Sequence, residues 1–431
     1  MNNVLYYVVP AAVAAGAMLW HSRSKRRQYA SNSRALAEAA EAGLTEPPTL
    51  HPVIDLSICM GSGACARSCP ENALGVIKGK AVLINAAHCI GHGACATACP
   101  VSAIKLVFGT ARRGVDIPKV DPQFETNVPG LFIAGELGGM GLIRKAVEQG
   151  KQAMATISKR ARKSCDYDVV IIGAGPAGIA ASLAAKEKGL RYVAVEQEDS
   201  LGGTTYHYPR NKIVMTAPME LPLVGKIKVR EVSKEQLMEI WRDILEREQL
   251  NIRFKERMED IGRDGDQFVV HTAKESYRTA AVLLAIGRRG TPRKLGVEGE
   301  EHPKVVYRLI EPDQYRDHHV LVVGGGDSAL EAALDIAAEP GTRVTLSYRG
   351  DTFNRVKPKN RARIEQARAR NQIRLMLASN VKTIAPDQVV LKQGDETVEL
   401  PNNAVIVCAG GELPTPFLKK MGVTIDTHYG D

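Results

Sequence analysis

The segment DVVIIGAGPAGIAASLAAKEKGLRYVAVE, residues 168–196, decides the fold of the chain around it. It opens with an apolar strand pattern that runs into a turn containing Gly173, Gly175 and Gly178, and a helix pattern follows. Glycines at these positions permit a tight turn and let the backbone approach a pyrophosphate at the start of a helix. The segment therefore predicts a dinucleotide-binding βαβ unit.

An acidic residue closes this unit. The second strand, predicted over residues 191–195, ends in Glu196, 18 residues after Gly178. A carboxylate at this spacing can accept hydrogen bonds from the two hydroxyls of a ribose. A glycine pattern alone is weak evidence, but strand, turn, helix, strand and acid in this order are strong evidence. The predicted binding residues are Gly173, Gly175, Pro176, Ala177, Gly178 and Glu196.

A second unit of the same kind begins with an apolar strand at residues 320–323. Its equivalent of Glu196 is Ser347, which precedes Tyr348 and Arg349. An acid there would repel a 2′-phosphate, whereas an arginine can pair with it, so this unit is predicted to prefer NADPH over NADH. Its predicted binding residues are Gly324, Gly326, Asp327, Ser328, Ala329, Arg349 and Arg355. Most of the basic run over residues 349–374 is interpreted as a solvated helix face.

The two units together resemble the two-domain flavoprotein reductases, in particular the thioredoxin reductase-like branch, over nearly all of residues 109–431. In that family the chain ends with T-x-V-P-G-L-F-x-A-G-D, which closes the flavin site. Here the matching segment TNVPGLFIAGE stands at residues 126–136, before the first glycine turn. The resemblance therefore implies a circularly permuted FAD domain, with Gly135 beside the flavin and Glu136 in place of the usual aspartate.

The same resemblance implies further positions around the flavin. Gly203 and Thr204 match the loop beside the ring, and Gly287 matches the end of the strand that leaves the FAD domain. A helix starting near Gly139 is expected to direct its positive end at the isoalloxazine. The C-x-x-C of thioredoxin reductases is missing, and Ala177 stands where the bacillithiol disulfide reductases have a cysteine.

An internal repeat precedes these units: CMGSGACARSCP at residues 59–70 and CIGHGACATACP at residues 89–100. It resembles the bacterial dicluster ferredoxins, whose runs read C-x2-C-x2-C-x3-C-P and whose fourth cysteine serves the other cluster. The second cysteine of each run is replaced here, by Ser62 and by His92.

The resemblance implies two crossed sites with three thiolates each. One consists of Cys59, Cys65 and Cys99, and the other of Cys89, Cys95 and Cys69. Three thiolates suit a 3Fe-4S cluster, and the second run looks like the C-x2-H-x2-C pattern of small actinobacterial ferredoxins that serve cytochromes P450. His92 as a ligand of a fourth iron stays an equal alternative. Ser62 could ligate as well, but its interpretation as a loop residue that bonds nearby backbone is favoured.

The N-terminus carries 17 uncharged residues, 4–20, followed by a cluster of arginines and lysine at residues 23–27. This pattern predicts a transmembrane helix with its basic flank inside, and hence a single-pass protein of the inner (cytoplasmic) membrane with a cytosolic catalytic body. A buried or surface helix is the alternative. Residues 28–50 are predicted to form a helical spacer and linker.

Composition limits the class of partner. The net charge of +9 implies attraction to anionic surfaces, acidic proteins or phosphorylated ligands. No nucleic-acid motif is present, and 5% aromatic residues argue against base-stacking platforms. Six of the eight cysteines lie in the two short runs, which indicates metal ligation in a reducing compartment rather than disulfides.

The expected fold class is α/β, with two Rossmann-like domains for FAD and NAD(P), a small α+β ferredoxin-like domain and the N-terminal helix. The predicted domains are an anchor over 1–27, a linker over 28–50, an iron-sulfur domain over 51–108, the permuted closing segment over 109–163, the FAD domain over 164–300, the NAD(P) domain over 301–411 and a return to the FAD domain over 412–431.

These features predict an NAD(P)H:acceptor oxidoreductase in which electrons pass from NADPH through FAD and two iron-sulfur clusters to an unidentified electron-transfer partner, or in the reverse direction. A small-disulfide reductase and a membrane-bound iron-sulfur redox sensor are the alternatives. The family resemblance also implies a homodimer by analogy.

Overall fold

A computed structural model gives the fold. It describes residues 3–41, 44–47, 50–89, 91, 93–111, 114–139, 141–160, 165–208, 212–229, 231–288, 291–309, 311–353 and 356–430. The chain divides into two compact units, of which the first contains residues 1–114, 352–362 and 429–431 and the second contains residues 115–351 and 363–428. The predicted site residues His92 and Arg355 lie outside the described residues.

The first unit joins a long helix to a small α+β fold. Its elements are α1 (Asn3–Glu41), β1 (His51–Ile54), α2 (Ala64–Ser68), β2 (Leu74–Ile77), β3 (Lys80–Leu83), α3 (Ala94–Thr97) and β4 (Ile104–Val107). Strands β1 and β4 pair antiparallel, as do β2 and β3. The two cysteine runs thus fold alike, each as a short helix that follows a glycine in the left-handed region, Gly63 before α2 and Gly93 before α3.

The structure does not support the predicted membrane span. Within the described residues, no helix is both long and apolar enough to cross a bilayer. The uncharged stretch is short, contains Pro10 and is diluted by alanines, and α1 continues from it through the basic cluster to Glu41. The cellular location of the protein stays a prediction.

The second half of α1 is more than a linker, because it packs on the iron-sulfur fold. The Asn32 side-chain amide donates a hydrogen bond of 3.0 Å to the Val76 carbonyl on β2. A Cβ at Gly75 would lie 2.8 Å from the Asn32 side chain, so any larger residue would displace the Asn32 amide. Ala39, Leu44 and Ala87 form a small buried cluster at the end of the helix.

The second unit begins with the FAD half of the predicted fold. Its elements are β5 (Val115–Pro118), β6 (Leu131–Ile133), α4 (Ile143–Ile157), β7 (Val169–Ile172), α5 (Pro176–Glu187), β8 (Tyr192–Val195), β9 (Ile213–Met215), β10 (Met219–Leu221), β11 (Gly225–Ile227), β12 (Glu231–Ser233), α6 (Lys234–Glu248), β13 (Ile252–Arg253), β14 (Met258–Asp264), β15 (Gln267–Thr272), β16 (Ser276–Thr279) and β17 (Val282–Leu284). A five-stranded parallel sheet runs in the order β13-β8-β7-β17-β6.

The segment before the glycine turn belongs to this sheet. Strand β6 pairs in parallel with β17, and β17 pairs with β7, so residues from the TNVPGLFIAGE segment occupy the sheet edge. Helix α4 packs closely on α5, where a Cβ at Gly150 would lie only 2.2 Å from the Ala177 carbonyl oxygen. This is the arrangement that a permuted flavin domain requires.

The NADPH half repeats the plan with a second parallel sheet. Its elements and those that follow are β18 (Thr291–Pro292), β19 (Val305–Val306), β20 (His319–Val323), α7 (Asp327–Ala337), β21 (Arg343–Ser347), α8 (Pro358–Ala369), β22 (Ile373–Met376), β23 (Ser379–Ile384), β24 (Gln388–Gln393), β25 (Glu396–Pro401), β26 (Ala404–Val407), β27 (Gly411–Glu412), α9 (Thr415–Lys420) and β28 (Ile425–His428). The sheet order is β19-β26-β20-β21-β22. The chain then returns to the FAD half, because β28 pairs with β5 and Leu418 and Val423 join the core beneath the first sheet.

Candidate cofactor sites

The first cysteine cavity brings together residues from both repeats. Cys59 and Cys65 from the first run and Cys99 from the second line one cavity. The loop residues Met60 and Ser62 also line it. This is the crossed grouping that the ferredoxin resemblance implies.

The second cavity has the complementary set. Cys89 and Cys95 from the second run and Cys69 from the first line the other cavity. Cys65 and Cys95 belong to one apolar cluster, so both cavities adjoin a common core. Each cavity therefore offers three sulfur donors in an apolar setting, a donor set that fits an iron-sulfur cluster.

The cysteine sulfurs receive backbone hydrogen bonds. The Ala81 N–H donates to the Cys59 Sγ at 3.4 Å, and the Ala103 N–H donates to the Cys99 Sγ at 3.3 Å. Such bonds favour the thiolate and tune the potential of a bound cluster. Burial acts in the opposite direction and raises the pKa of Cys95 to about 11. Within the described ranges, no group of three or more His, Cys, Asp or Glu side chains is placed to hold a single metal ion.

Ser62 has two features that bear on its role. Its Oγ accepts a long hydrogen bond of 3.4 Å from the Ala64 N–H, which is the backbone contact expected of a loop serine. The residue also lines the first cavity. Both interpretations of Ser62 therefore stay open, and the described residues do not include His92, its counterpart in the second run.

The first glycine turn is built for close approach of the backbone. Gly173 has a φ of +103°, and a Cβ there would lie 2.6 Å from the Ala285 carbonyl oxygen. A Cβ at Gly178 would lie 1.8 Å from the Gly173 carbonyl oxygen. Pro176 occupies the first position of α5, where its missing N–H has no cost. The turn therefore leaves the N-terminus of α5 open to a pyrophosphate.

Glu196 is buried at the end of β8 and braces this turn. One carboxylate oxygen accepts a hydrogen bond of 2.7 Å from the Ala174 N–H, and the other accepts one of 3.0 Å from the Glu198 N–H. Burial raises the pKa of Glu196 from its ordinary value. Hydroxyl donors from a ribose would compensate for that lost hydration.

The residues predicted from the closing segment converge on the same turn. Gly135 approaches Ala177 so closely that a Cβ at Gly135 would lie 3.1 Å from the Ala177 Cβ. A Cβ at Gly287 would lie 3.8 Å from the Glu136 Oε2 and 3.9 Å from the Thr204 Oγ1. The structure therefore brings Glu136, Thr204 and Gly287 together.

The loop after β8 completes this cleft. A Cβ at Gly203 would lie 3.1 Å from the Gly175 Cα, so this loop rests on the glycine turn. One expectation is corrected here: α4 begins at Ile143 and not near Gly139, because Glu136–Gly138 forms a 3₁₀ turn and Gly139 adopts a φ of +97°.

The second glycine turn has the same construction. Gly324 has a φ of +150°, and a Cβ there would lie 2.5 Å from the Cys408 carbonyl oxygen and 3.0 Å from the Ala329 Cβ. Gly326 precedes α7, whose first turn contains Asp327 and Ser328. The predicted residues 324–329 therefore form one continuous turn at a helix N-terminus.

The end of β21 holds a feature that the sequence interpretation missed. The Tyr348 ring covers the glycine turn, since a Cβ at Gly325 would lie 2.1 Å from its Cε2. Ser347 is buried, and its hydroxyl bonds the Ser379 hydroxyl at 2.7 Å. Arg349 is exposed and is available to a phosphate. The sequence offered one signal for this contact: a glycine at position 325 and an aromatic residue, Tyr348, directly after β21.

A charged cluster joins the two halves of the second unit and was also missed. Arg308, after β19, donates from Nη1 to the His207 Nε2 at 3.2 Å. Glu198 lies 3.4 Å from that His207 nitrogen and 4.0 Å from Arg308. Residues so far apart in the chain carry no local pattern that predicts this contact.

Comparisons with known proteins agree with this architecture. The model of the pyridine nucleotide-disulphide oxidoreductase family matches residues 170–429, and that of the 4Fe-4S dicluster domain matches residues 51–100. The first match begins after β6 and α4. Bacilliredoxin reductase Bdr of Bacillus subtilis (strain 168) is 29% identical over 267 residues, which cover 61% of this chain and 82% of that protein.

Two further relatives point the same way. A ferredoxin–NADP reductase of Ignicoccus hospitalis is 29% identical over 269 residues, covering 60% of this chain and 82% of that protein. Among solved structures, the bacillithiol disulfide reductase Bdr (YpdA) from Bacillus cereus superposes with a TM-score of 0.53 at 29% identity, covering 60% of this chain and 82% of that one.

Proposed function

This chain belongs to the pyridine nucleotide-disulphide oxidoreductase family and carries a 4Fe-4S dicluster domain, and on that premise we propose that it passes electrons from NADPH through FAD and two iron-sulfur clusters to a separate acceptor. The observation that carries the proposal is the presence in one chain of two dinucleotide turns and two cavities with three cysteines each. A nicotinamide releases electrons in pairs as a hydride, and a flavin can release them singly.

The flavin-side residues bind and position. The turn over 173–178 offers backbone N–H groups to a pyrophosphate, and the Glu196 carboxylate accepts from ribose hydroxyls. Glu136 and Thr204 meet at Gly287 and form the wall of the cleft. No side-chain acid or base is obligatory in hydride and electron transfer, so the role of the protein is to orient the cofactors and exclude water.

The cysteine sites hold the one-electron carriers in this proposal. One cluster is ligated by Cys59, Cys65 and Cys99, and the other by Cys69, Cys89 and Cys95. Each cluster is either 3Fe-4S or 4Fe-4S. Covalent attachment of this domain keeps it at high effective concentration near the flavoprotein. The name of one relative supports the idea, because it is a ferredoxin–NADP reductase and this chain carries a 4Fe-4S dicluster domain of its own.

A small-disulfide reductase is the second candidate, favoured by the likeness to Bdr. The eight cysteines of this chain include no C-x-x-C pair. Outside the two clustered runs, Cys165 precedes β7 and Cys408 follows β26, in different halves of the second unit. Dithiol chemistry is therefore the weaker proposal.

The direct test is anaerobic titration of purified protein with NADPH, followed by flavin absorbance and electron paramagnetic resonance. We expect the flavin to bleach and the cluster signals to change with the same amount of NADPH. Bleached flavin beside unchanged clusters would contradict the proposed direction. A reduced one-electron donor plus NADP would then test the reverse flow.

We expect Arg349→Ala to weaken the binding of NADPH and to leave the binding of NADH nearly unchanged. A charge-assisted hydrogen bond to a phosphate contributes about 1.5–3 kcal/mol, so KM for NADPH should rise roughly 10- to 150-fold while KM for NADH changes little. Steady-state reduction of ferricyanide with each nucleotide measures both constants. Lys392→Ala, which removes an exposed charge on β24, is the matched control. An equal rise for both nucleotides would exclude recognition of the 2′-phosphate.

A further inference from the structure

Three large exposed apolar side chains lie in the loop that leads into the first cysteine cavity. Leu56, Ile58 and Met60, here called the apolar collar, expose 55%, 49% and 66% of their surface. Cys59 lies between them and is buried. Met60 also lines the cavity with Cys59, so the collar reaches the edge of the candidate cluster site.

The exposure of the collar is built into the loop. The Lys80 ammonium donates to the carbonyl oxygens of Leu56 at 2.8 Å and of Cys59 at 2.7 Å. The Cys59 N–H donates to the Asp55 carbonyl oxygen at 3.0 Å. A Cβ at Gly61 would lie 1.9 Å from the Gly79 carbonyl oxygen, so the loop rests directly on the β2–β3 turn. These contacts hold the apolar side chains in solvent.

Three basic side chains lie beside the loop that carries the collar. Lys78 and Lys80 flank Gly79 beside the loop, and Arg67 donates from Nη1 to the Ser62 carbonyl oxygen at 3.2 Å. Asp55 also lies there; its Oδ1 accepts from the Ser57 hydroxyl at 2.5 Å and from the Ser57 N–H at 2.8 Å, and these two bonds lower its pKa. The cations Lys78, Lys80 and Arg67 complement an acidic partner.

We propose that the apolar collar is the docking site of an acidic one-electron-transfer protein, which receives its electron at the Cys59 edge of the first site. The proposal rests on the proposed function. Each docking event reduces one partner molecule by one electron, so two partner molecules are reduced as one NADPH becomes NADP⁺ with release of a proton. Exposed apolar side chains beside a redox site give contact area, and the cations give orientation and a fast association rate.

The test uses two protein probes with one chemistry and opposite charge: an acidic c-type cytochrome and the basic mitochondrial cytochrome c. Binding of each to the intact protein is measured by calorimetry at low salt, and reduction of each by NADPH is measured optically. Lys78→Glu, an exposed position on the turn, should weaken the acidic probe at least tenfold and should not weaken the basic probe. Leu56→Glu should likewise weaken the acidic probe. The control is Lys188→Glu, which makes the same change in charge at an exposed lysine just after α5.

The outcomes separate the two proposals. If each probe binds Lys78→Glu with the same affinity as it binds the wild type, the proposed docking site is wrong. If Leu56→Glu slows reduction of the clusters by NADPH while binding of the acidic cytochrome is unchanged, the collar serves the flavoprotein of its own chain and the proposal fails. If NADPH never reduces the wild-type clusters, the proposed function fails, while the calorimetric comparison still decides whether the collar binds an acidic protein.

Discussion

Replacing Cys99 by alanine should remove the cluster from the site of Cys59 and Cys65, in the preceding repeat, and leave the other site loaded. The three cysteines line one cavity. The variant would hold the cluster by two thiolates, which is one of three protein ligands fewer. Iron per chain should fall by roughly half, since each site holds a cluster of its own. Metal analysis and electron paramagnetic resonance of anaerobically purified protein measure the loss.

Double variants make this expectation sharp. Cys59→Ala with Cys99→Ala should lose no more iron than either single change, because both residues belong to one cavity. Cys59→Ala with Cys69→Ala should lose nearly all of it, although both cysteines belong to one repeat. This non-additivity is the signature of shared ligands. Cys408→Ala controls for loss of a thiol elsewhere in the chain.

The opposite pattern would show that each repeat binds its own cluster. In that case the pair Cys59 and Cys99 would remove both clusters and the pair Cys59 and Cys69 would remove one. Bleaching of the flavin by NADPH should survive in every variant, because the dinucleotide turns belong to a different compact unit. Loss of flavin together with iron would indicate misfolding instead.

The sheets could be predicted closely because their strands are buried on both faces. The first strand of the FAD unit is predicted over residues 168–172 and forms as Val169–Ile172. The first strand of the second unit is predicted over residues 320–323 and forms as His319–Val323. Such strands are nearly continuous runs of β-branched residues, and glycines mark their ends. Local pattern is therefore sufficient here.

Prediction from the sequence failed for contacts between residues that are far apart in the chain. Residues 28–50 give no sign that Asn32 reaches Val76, because that contact depends on the missing side chain of Gly75. The Tyr348 ring over Gly325 depends on the turn in the same way. The predicted span over residues 4–20 is not supported, because no helix among the described residues is both long and apolar enough to cross a bilayer.

The candidate cofactor sites fall between these cases. A repeat with fixed spacing and a known ligand exchange places six cysteines into two cavities without any knowledge of the fold. The start of α4 could not be placed in this way, because Gly139 permits either a helix start or the left-handed turn that the structure shows. Glycine restricts the backbone too little for a pattern to decide.

Glu196→Ala should reduce FAD affinity about 10²- to 10⁴-fold. Each hydrogen bond between a ribose hydroxyl and the carboxylate contributes roughly 1.5–3 kcal/mol, and the carboxylate can accept two. Equilibrium dialysis of deflavinated protein against FAD measures the dissociation constant. Glu187→Ala, at the exposed end of α5, removes a similar charge without touching the turn.

Glu196 also accepts from the Ala174 N–H, so a purely structural role must be separated from ribose binding. A bracing role alone would lower the free energy of unfolding equally with and without FAD. Ribose binding adds a loss that appears only with FAD present, because the stabilisation of the folded state by a ligand rises with the logarithm of the ligand's affinity. Denaturant unfolding of both forms gives this difference directly. Equal losses in the two forms would show that Glu196 shapes the turn and does not hold the cofactor.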